Sequence, residues 1–80
     1  MMKEIIEPNV MEDILKAAAH LARVGAPNLW LDYDAEADAL YINFQKPQRA
    51  TESELLENGV IVRYRGEKLV GMVIFDASKR

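Results

Sequence analysis

The sequence predicts an α+β fold in which an N-terminal helix packs on a three- to four-stranded antiparallel meander sheet. Between Asn9 and Gly25, apolar side chains recur at helical spacing, which predicts a helix. After Gly25 the chain contains several short apolar runs separated by turn residues, which predict strands. The connections between those runs are short, which favours antiparallel neighbours. We expect a single domain over residues 1–80, with a helical extension at residues 1–27 and a β domain at residues 28–80.

Composition favours a small folded protein that gains stability from a partner. Half of the 80 residues are hydrophobic, which is ample for a folded chain. A domain of this size buries only about 60–65% of its unfolded surface. The chain has no cysteine, so disulfides and thiolate metal sites cannot strengthen it. Association with a second subunit is the remaining common solution.

Charge and hydropathy argue against several classes of protein. The net charge is −3 and the pI is near 5.0, which argues against a nucleic-acid-binding surface. No uncharged run approaches the roughly 18 residues of a membrane span, and the first residues lack the apolar core of a signal peptide. We expect a cytoplasmic protein with no membrane span, no nucleic-acid partner and no cofactor.

The helix is expected to begin at Asn9, whose side chain can cap the first turn while Glu12 reaches back to its amide. Gly25 and Pro27 should end it. Glu12 and Lys16 are spaced to form an ion pair. The helix has an apolar stripe, which consists of Met11, Ile14, Leu15, Ala18, Leu21 and Ala22.

Four apolar runs predict the strands of the sheet. They are residues 29–33, 39–44, 60–64 and 69–75. Gly66 supplies a positive φ for the tight turn before the last run. Gly71 inside that run predicts a bulge or a close approach, by Trp30 or by the helix. Residues 50–57 are polar and acidic, and the sequence leaves open whether they form an edge strand or a helical turn.

The last run predicts a homodimer because both of its faces are apolar. One helix covers one face of a small sheet, and the other face would expose a large apolar patch. Candidate interaction residues on that patch are Trp30, Tyr41, Val70, Met72 and Ile74. The alternative is that the sheet curls on itself and the segment around Leu55 and Leu56 covers the rest.

Acidic residues crowd the connection between the first two runs, with Asp32, Asp34, Glu36 and Asp38 at alternate positions. An EF-hand calcium loop would need glycine at its sixth position, where Ala37 stands, so that match fails. We expect Asp34 to cap a turn by accepting backbone amides. The exposed acids Asp34, Glu36 and Asp38 are also candidate interaction residues for a basic partner.

Three separated segments carry a resemblance to a known family. Residues 33–42 read YDAEADALYI, residues 59–62 read GVIV, and residues 69–78 read LVGMVIFDAS. The chain resembles the domain-of-unknown-function 2283 family of small prokaryotic proteins over residues 29–80. It departs from the family pattern at Val73, where an acid is frequent, and at Arg63, where an aspartate is common. The resemblance implies no established activity, but relatives encoded beside ribonuclease-type toxins suggest an antitoxin-like role.

The sequence therefore favours a non-enzymatic, homodimeric protein-interaction module that binds a small toxin-like protein partner. The alternative is a small-molecule or metal-binding domain with a pocket near Trp30 and Tyr41. A hydrolase using Asp34 and Asp38 is the third hypothesis. No catalytic, cofactor-binding or metal-ligating residue is predicted, because His20 lies on the polar helix stripe with no second histidine or cysteine beside it.

Overall fold

The computed structural model describes residues 2–80, which form one α-helix and one sheet of five antiparallel strands. The elements are α1 Pro8–Arg23, β1 Trp30–Asp34, β2 Ala39–Asn43, β3 Glu52–Leu55, β4 Val60–Arg65, β5 Lys68–Phe75 and a 3₁₀ helix Ala77–Lys79. The α+β class is confirmed. The expected three or four strands become five, because the segment left open at residues 50–57 contains β3.

Helix α1 begins two residues earlier than the predicted cap at Asn9 implies. Pro8 is the first helical residue, and Glu7 precedes it in extended conformation without a side-chain capping bond. The Met11 amide donates to the Glu7 carbonyl oxygen at 3.0 Å. The predicted cap at Asn9 is therefore wrong, since proline suits the first helical position, where no amide hydrogen is needed. The predicted end is confirmed by Gly25, whose φ is +81°.

The strand order is β1-β2-β5-β4-β3, so the sheet is not a simple meander. After β2 the chain crosses to the far edge, forms β3, and returns through β4 to place β5 beside β2. The central position of β5 follows from its composition. It is the longest strand and holds the largest number of apolar side chains, and a central strand pairs on both sides and is shielded best from water.

A bulge in β5 interrupts its alternation. Tyr64 of β4 lies opposite Leu69, whereas Arg63 lies opposite Gly71, so Val70 is an extra residue without a partner in β4. Val70 is fully buried, and its carbonyl oxygen accepts the Phe44 amide at 2.9 Å. The side chains of β5 therefore do not alternate strictly between the two sheet faces. The sequence alone did not show this, because it does not indicate which residue is extra.

The core lies in the sheet and draws on both of its faces. Its buried members are Ala39, Ile42, Val60, Val62, Val70 and Val73. All belong to β2, β4 or β5, the three inner strands. The outer strands β1 and β3 contribute no buried residue.

The helix does not pack on the sheet of its own chain, contrary to the expectation from sequence. No residue of Pro8–Arg23 is buried, and only Leu21 is half-buried. The radius of gyration is 14.7 Å, against about 12 Å for a compact domain of 80 residues. A helix can stand away from the sheet because its backbone hydrogen bonds are made within itself, but its apolar stripe then stays in water.

Candidate functional site

The apolar stripe of α1 is an uncovered hydrophobic surface. Ile14 is 53% exposed, Leu15 is 61% exposed and Met11 is 41% exposed. On the polar side of the helix, Lys16 and Glu12 form the predicted ion pair at 3.1 Å. Such a helix normally buries its apolar side against another element. In this chain, no element within residues 2–80 does so.

Strand pairing separates the sheet residues into two faces of different chemistry, since directly opposed residues in antiparallel strands share a face. One face, here called the apolar sheet face, consists mainly of hydrophobic side chains. Its members in β1, β2, β4 and β5 are Leu31, Tyr33, Leu40, Ile42, Val60, Val62, Met72 and Ile74. Its most exposed members lie on the edge strand β1, where Leu31 is 47% exposed and Tyr33 is 53% exposed.

The opposite face, here called the mixed sheet face, carries polar and charged groups among apolar ones. Its members include Trp30, Asp32, Asp34, Tyr41, Asn43, Ile61, Arg63, Gly71 and Val73. The segment that joins β2 to β3 approaches this face, because the side chain of Gln48 bonds to residues on it. The mixed sheet face is therefore partly occupied by its own chain.

The predicted apolar patch does not exist as one surface. Met72 and Ile74 lie on the apolar sheet face, whereas Trp30 and Tyr41 lie on the mixed sheet face, and Val70 is buried in the bulge. The sequence could not separate these residues, because the grouping depends on strand register and on the position of the bulge. Met72 and Ile74 are half-buried, and Tyr41 is exposed.

The acidic connection between β1 and β2 is a structured turn. One carboxylate oxygen of Asp34 accepts the amides of Glu36 at 3.1 Å and Ala37 at 3.3 Å. This confirms the prediction that Asp34 caps a turn. Asp34 and Glu36 are exposed, so their charges face water.

Asp38 differs from the other acids because its carboxylate is engaged by its own chain. The Tyr33 hydroxyl donates to it at 2.6 Å, and Ser78 donates through its amide at 3.0 Å and its hydroxyl at 2.7 Å. Hydrogen bonds from Tyr33 and then Ser78 lower the pKa of the Asp38 carboxyl. The bond to Asp38 raises the pKa of Tyr33. We call these three residues the Asp38 clamp.

A polar cluster on the mixed sheet face was not predicted from the sequence. Arg63 donates through Nη1 to the Gln48 side-chain oxygen at 3.2 Å, and the Gln48 amide nitrogen donates to the Asn43 side-chain oxygen. A Cβ at Gly71 would overlap the Gln48 side chain. Gly71 was the one sequence feature that could have indicated this cluster. The close approach it predicted is real, but the approaching group is Gln48 and not Trp30 or the helix.

An open cleft of about 290 Å³ lies where the helix joins the sheet. It is lined by Val24, Gly25, Ala26, Pro27, Phe44, Lys68 and Leu69. Neither Trp30 nor Tyr41, the residues predicted to form a ligand pocket, lines this cleft. Among residues 2–80, no three His, Cys, Asp or Glu side chains converge as a metal site would require. Over the same residues, no helix is long and apolar enough to cross a membrane.

Comparison with known proteins identifies a family to which most of the chain is similar. A family model described as "Protein of unknown function (DUF2283)" matches residues 30–78, which is more than half of the chain. The matched segment contains the whole sheet and all three residues of the Asp38 clamp, but not α1. Searches of curated proteins and of solved structures gave no significant match.

Proposed function

The chain belongs to the DUF2283 family of proteins of unknown function, and from that premise we propose that it acts as a non-enzymatic, homodimeric protein-interaction module. The observation that carries this proposal is the uncovered apolar stripe of α1. Water contact with a row of large apolar side chains along a whole helix is unfavourable, and burial of the row in a complex removes it.

A second copy of the chain is the partner that the observations support best. The same chain also holds uncovered hydrophobic side chains on the apolar sheet face, at Leu31 and Tyr33. Two copies therefore offer both halves of an interface. The small size of the inner-strand core adds to the argument, because association compensates for a core that is marginal in a chain of 80 residues.

Membrane-surface binding is a weaker explanation of the amphipathic helix. Helices that bind anionic lipid headgroups carry mainly Lys and Arg on the polar side. Here the polar side mixes Glu12 with Lys16, and the two form an ion pair with each other. The chain as a whole is also acidic, with a net charge of −3. Electrostatic attraction to an anionic surface is therefore not favoured.

The molecular mass in solution tests the homodimer. Light scattering on the full chain over a range of concentrations should give about twice the chain mass of 9.1 kDa at the upper end. Reversible dissociation on dilution would agree with an interface of modest size. A mass of 9.1 kDa at every concentration would overturn the proposal.

An antitoxin-like role is the second candidate, favoured by the exposed acids of the β1–β2 turn. Asp34 and Glu36 are exposed and present negative charge at one end of the sheet. A small basic protein of the ribonuclease-toxin type would complement this charge. Affinity capture from lysate should recover such a basic protein with the native chain and lose it with the double variant Asp34→Asn, Glu36→Gln. Equal recovery with both chains would show that Asp34 and Glu36 do not contribute to partner binding.

A further inference from the structure

The apolar stripe of α1 is uncovered, and the apolar sheet face is open along its edge strand β1, which matches the stripe in length. The stripe runs from Met11 to Ala22, which corresponds to about 18 Å of helix. A strand of five residues, such as β1, is about 17 Å long. A helix about 10 Å wide covers two neighbouring strands, which lie about 4.8 Å apart.

The part of the apolar sheet face that needs cover is its β1 edge, because on β2 Ile42 is already buried and Leu40 is half-buried. Leu31 and Tyr33 on β1 are the most exposed members of that face, and they lie beside Ile42 and Leu40 on β2. The other side of these two strands is less suitable for a helix, because Asp32 and Asp34 place carboxylates there. A helix therefore fits β1 and β2 on the apolar sheet face and not on the mixed sheet face.

We propose that α1 of one copy lies along β1 and β2 on the apolar sheet face of a second copy, and that the exchange is reciprocal. The inference rests on the proposed homodimer and specifies its interface. In the single chain the stripe is exposed, and the joining segment from Val24 to Pro27 lines the cleft beside Phe44 and Leu69. The helix thus leaves its own sheet beside this cleft and is available to a partner.

The area of such an exchange corresponds to a weak, reversible dimer. The stripe is about 18 Å long and the helix about 10 Å wide, so each helix–sheet contact has a footprint of roughly 180 Å². Two reciprocal contacts, counted on both surfaces, remove about 700 Å² from water, which is in the range of transient interfaces that dissociate on dilution. Pairing of the two helices alone would leave Leu31 and Tyr33 in water.

The exchange also satisfies the symmetry of a dimer. A two-fold axis places the same pair of surfaces at both contacts, so each copy contributes one helix and receives one. Exchange of an identical element between copies is a low-cost route to dimers. Gly25, with its φ of +81°, lies in the segment that joins α1 to β1.

A nitroxide label on the helix tests the geometry directly. The chain has no cysteine, so Ala19→Cys gives one attachment site, at the border of the apolar stripe. Labelled chain without ¹⁵N is mixed with native ¹⁵N-labelled chain, and amide signals are compared before and after reduction of the nitroxide. We expect selective broadening of the amides of Leu31, Leu40 and their neighbours in the native copy.

Each other outcome overturns the exchange. Broadening confined to α1 would show that helices pair with helices. Absence of broadening in a sample whose mass is that of a dimer would place the interface elsewhere, and the proposed homodimer would stand without the exchange. A monomer mass for the native chain would overturn both the homodimer and the exchange of helices. Asn9→Cys, on the polar side of the helix, provides a second label position if a group at residue 19 prevents association.

Discussion

Ser78 donates two hydrogen bonds to the carboxylate of Asp38, a residue 40 positions earlier in the chain. The Ser78 amide reaches one carboxylate oxygen at 3.0 Å and its hydroxyl reaches the other at 2.7 Å. The Ala77 amide also donates to the Asp38 carbonyl oxygen at 3.0 Å. These bonds join the β1–β2 turn to the 3₁₀ helix that follows β5. Because the carboxylate is engaged in this way, we assign Asp38 a structural role.

Replacement of Asp38 by Asn should lower the thermal unfolding midpoint, because the amide lacks the charge and the second acceptor oxygen that Tyr33 and Ser78 use, whereas asparagine tolerates the φ of +49° at this position. Glu36→Gln is the matched control. It removes an acid from the same turn whose side chain makes no hydrogen bond among the described residues. Thermal melts followed by circular dichroism compare the two. Equal midpoints for both variants would show that the Asp38 clamp adds no stability.

The same clamp should make stability depend on acid pH. The folded pKa of Asp38 is lowered from 3.8, so its contribution is present above that value and is lost as pH falls through the folded pKa. The difference in melting midpoint between native chain and Asp38→Asn should therefore shrink between about pH 6 and about pH 2. A difference that stays constant over this range would contradict the lowered pKa. The Tyr33 contribution depends on pH in the opposite direction: because the folded pKa of Tyr33 is raised from 10.0, the contribution is present below that value and is lost as pH rises through the folded pKa.

Gly71→Ala should displace the Gln48 side chain, because the new methyl group would occupy its position. Loss of the Gln48 bonds to Asn43 and Arg63 should cost about 1 kcal/mol of unfolding free energy. In a Gln48→Ala background the same change should cost less, since the obstructing group is gone. Urea unfolding of the two single variants and the double variant measures this coupling. Strict additivity would show that Gln48 and Gly71 are independent.

Leu15→Glu should dissociate the dimer. In the isolated chain Leu15 is 61% exposed, so the substitution should change the stability of the monomer by no more than about 0.5 kcal/mol. In the dimer it would bury a charge without a partner, which costs several kcal/mol. Asn9→Glu adds the same charge on the polar side and should leave the dimer intact. Light scattering measures the mass of both variants. Retention of the dimer by Leu15→Glu would place the interface elsewhere.

Gly66→Ala should destabilise the β4–β5 hairpin by about 1 kcal/mol. The Gly66 φ is +64°, a conformation in which a Cβ is strained, although nothing lies within 4 Å of the added atom. Gly66→Asn should cost less, because asparagine tolerates this region. Urea unfolding of both variants measures the difference. Equal costs would indicate that the hairpin adjusts its turn.

The local structure of the chain was largely predictable from particular residues. Gly66 and Gly25 indicated the backbone geometry that the structure shows, and Asp34 indicated its turn. Glu12 and Lys16 formed the expected pair. Each of these features depends on residues within a few positions of one another. The predicted cap at Asn9 failed for an equally local reason, because Pro8 starts the helix first.

The arrangement of distant parts was not predictable in the same way. The sequence contained no signal that Ser78 and Asp38 would meet, or that Gln48 would lie over Gly71. Such contacts depend on strand order, and the chain crosses from β2 to β3 before it returns to place β5 in the centre. The bulge at Val70 then decides which side chains of β5 face which way. The candidate interaction residues separated onto two faces for this reason.

The sequence by itself determined the helix and four of the five strands, because hydrophobic periodicity and turn residues act over a few neighbours. It also determined that the chain has more apolar surface than one helix and one small sheet cover easily. Only the tertiary structure decided which surface stays uncovered: α1 stands away from its own sheet and exposes its apolar stripe. Hydrophobic periodicity indicates that a helix has an apolar side. The path of the segment that joins the helix to the sheet determines which surfaces that side can contact.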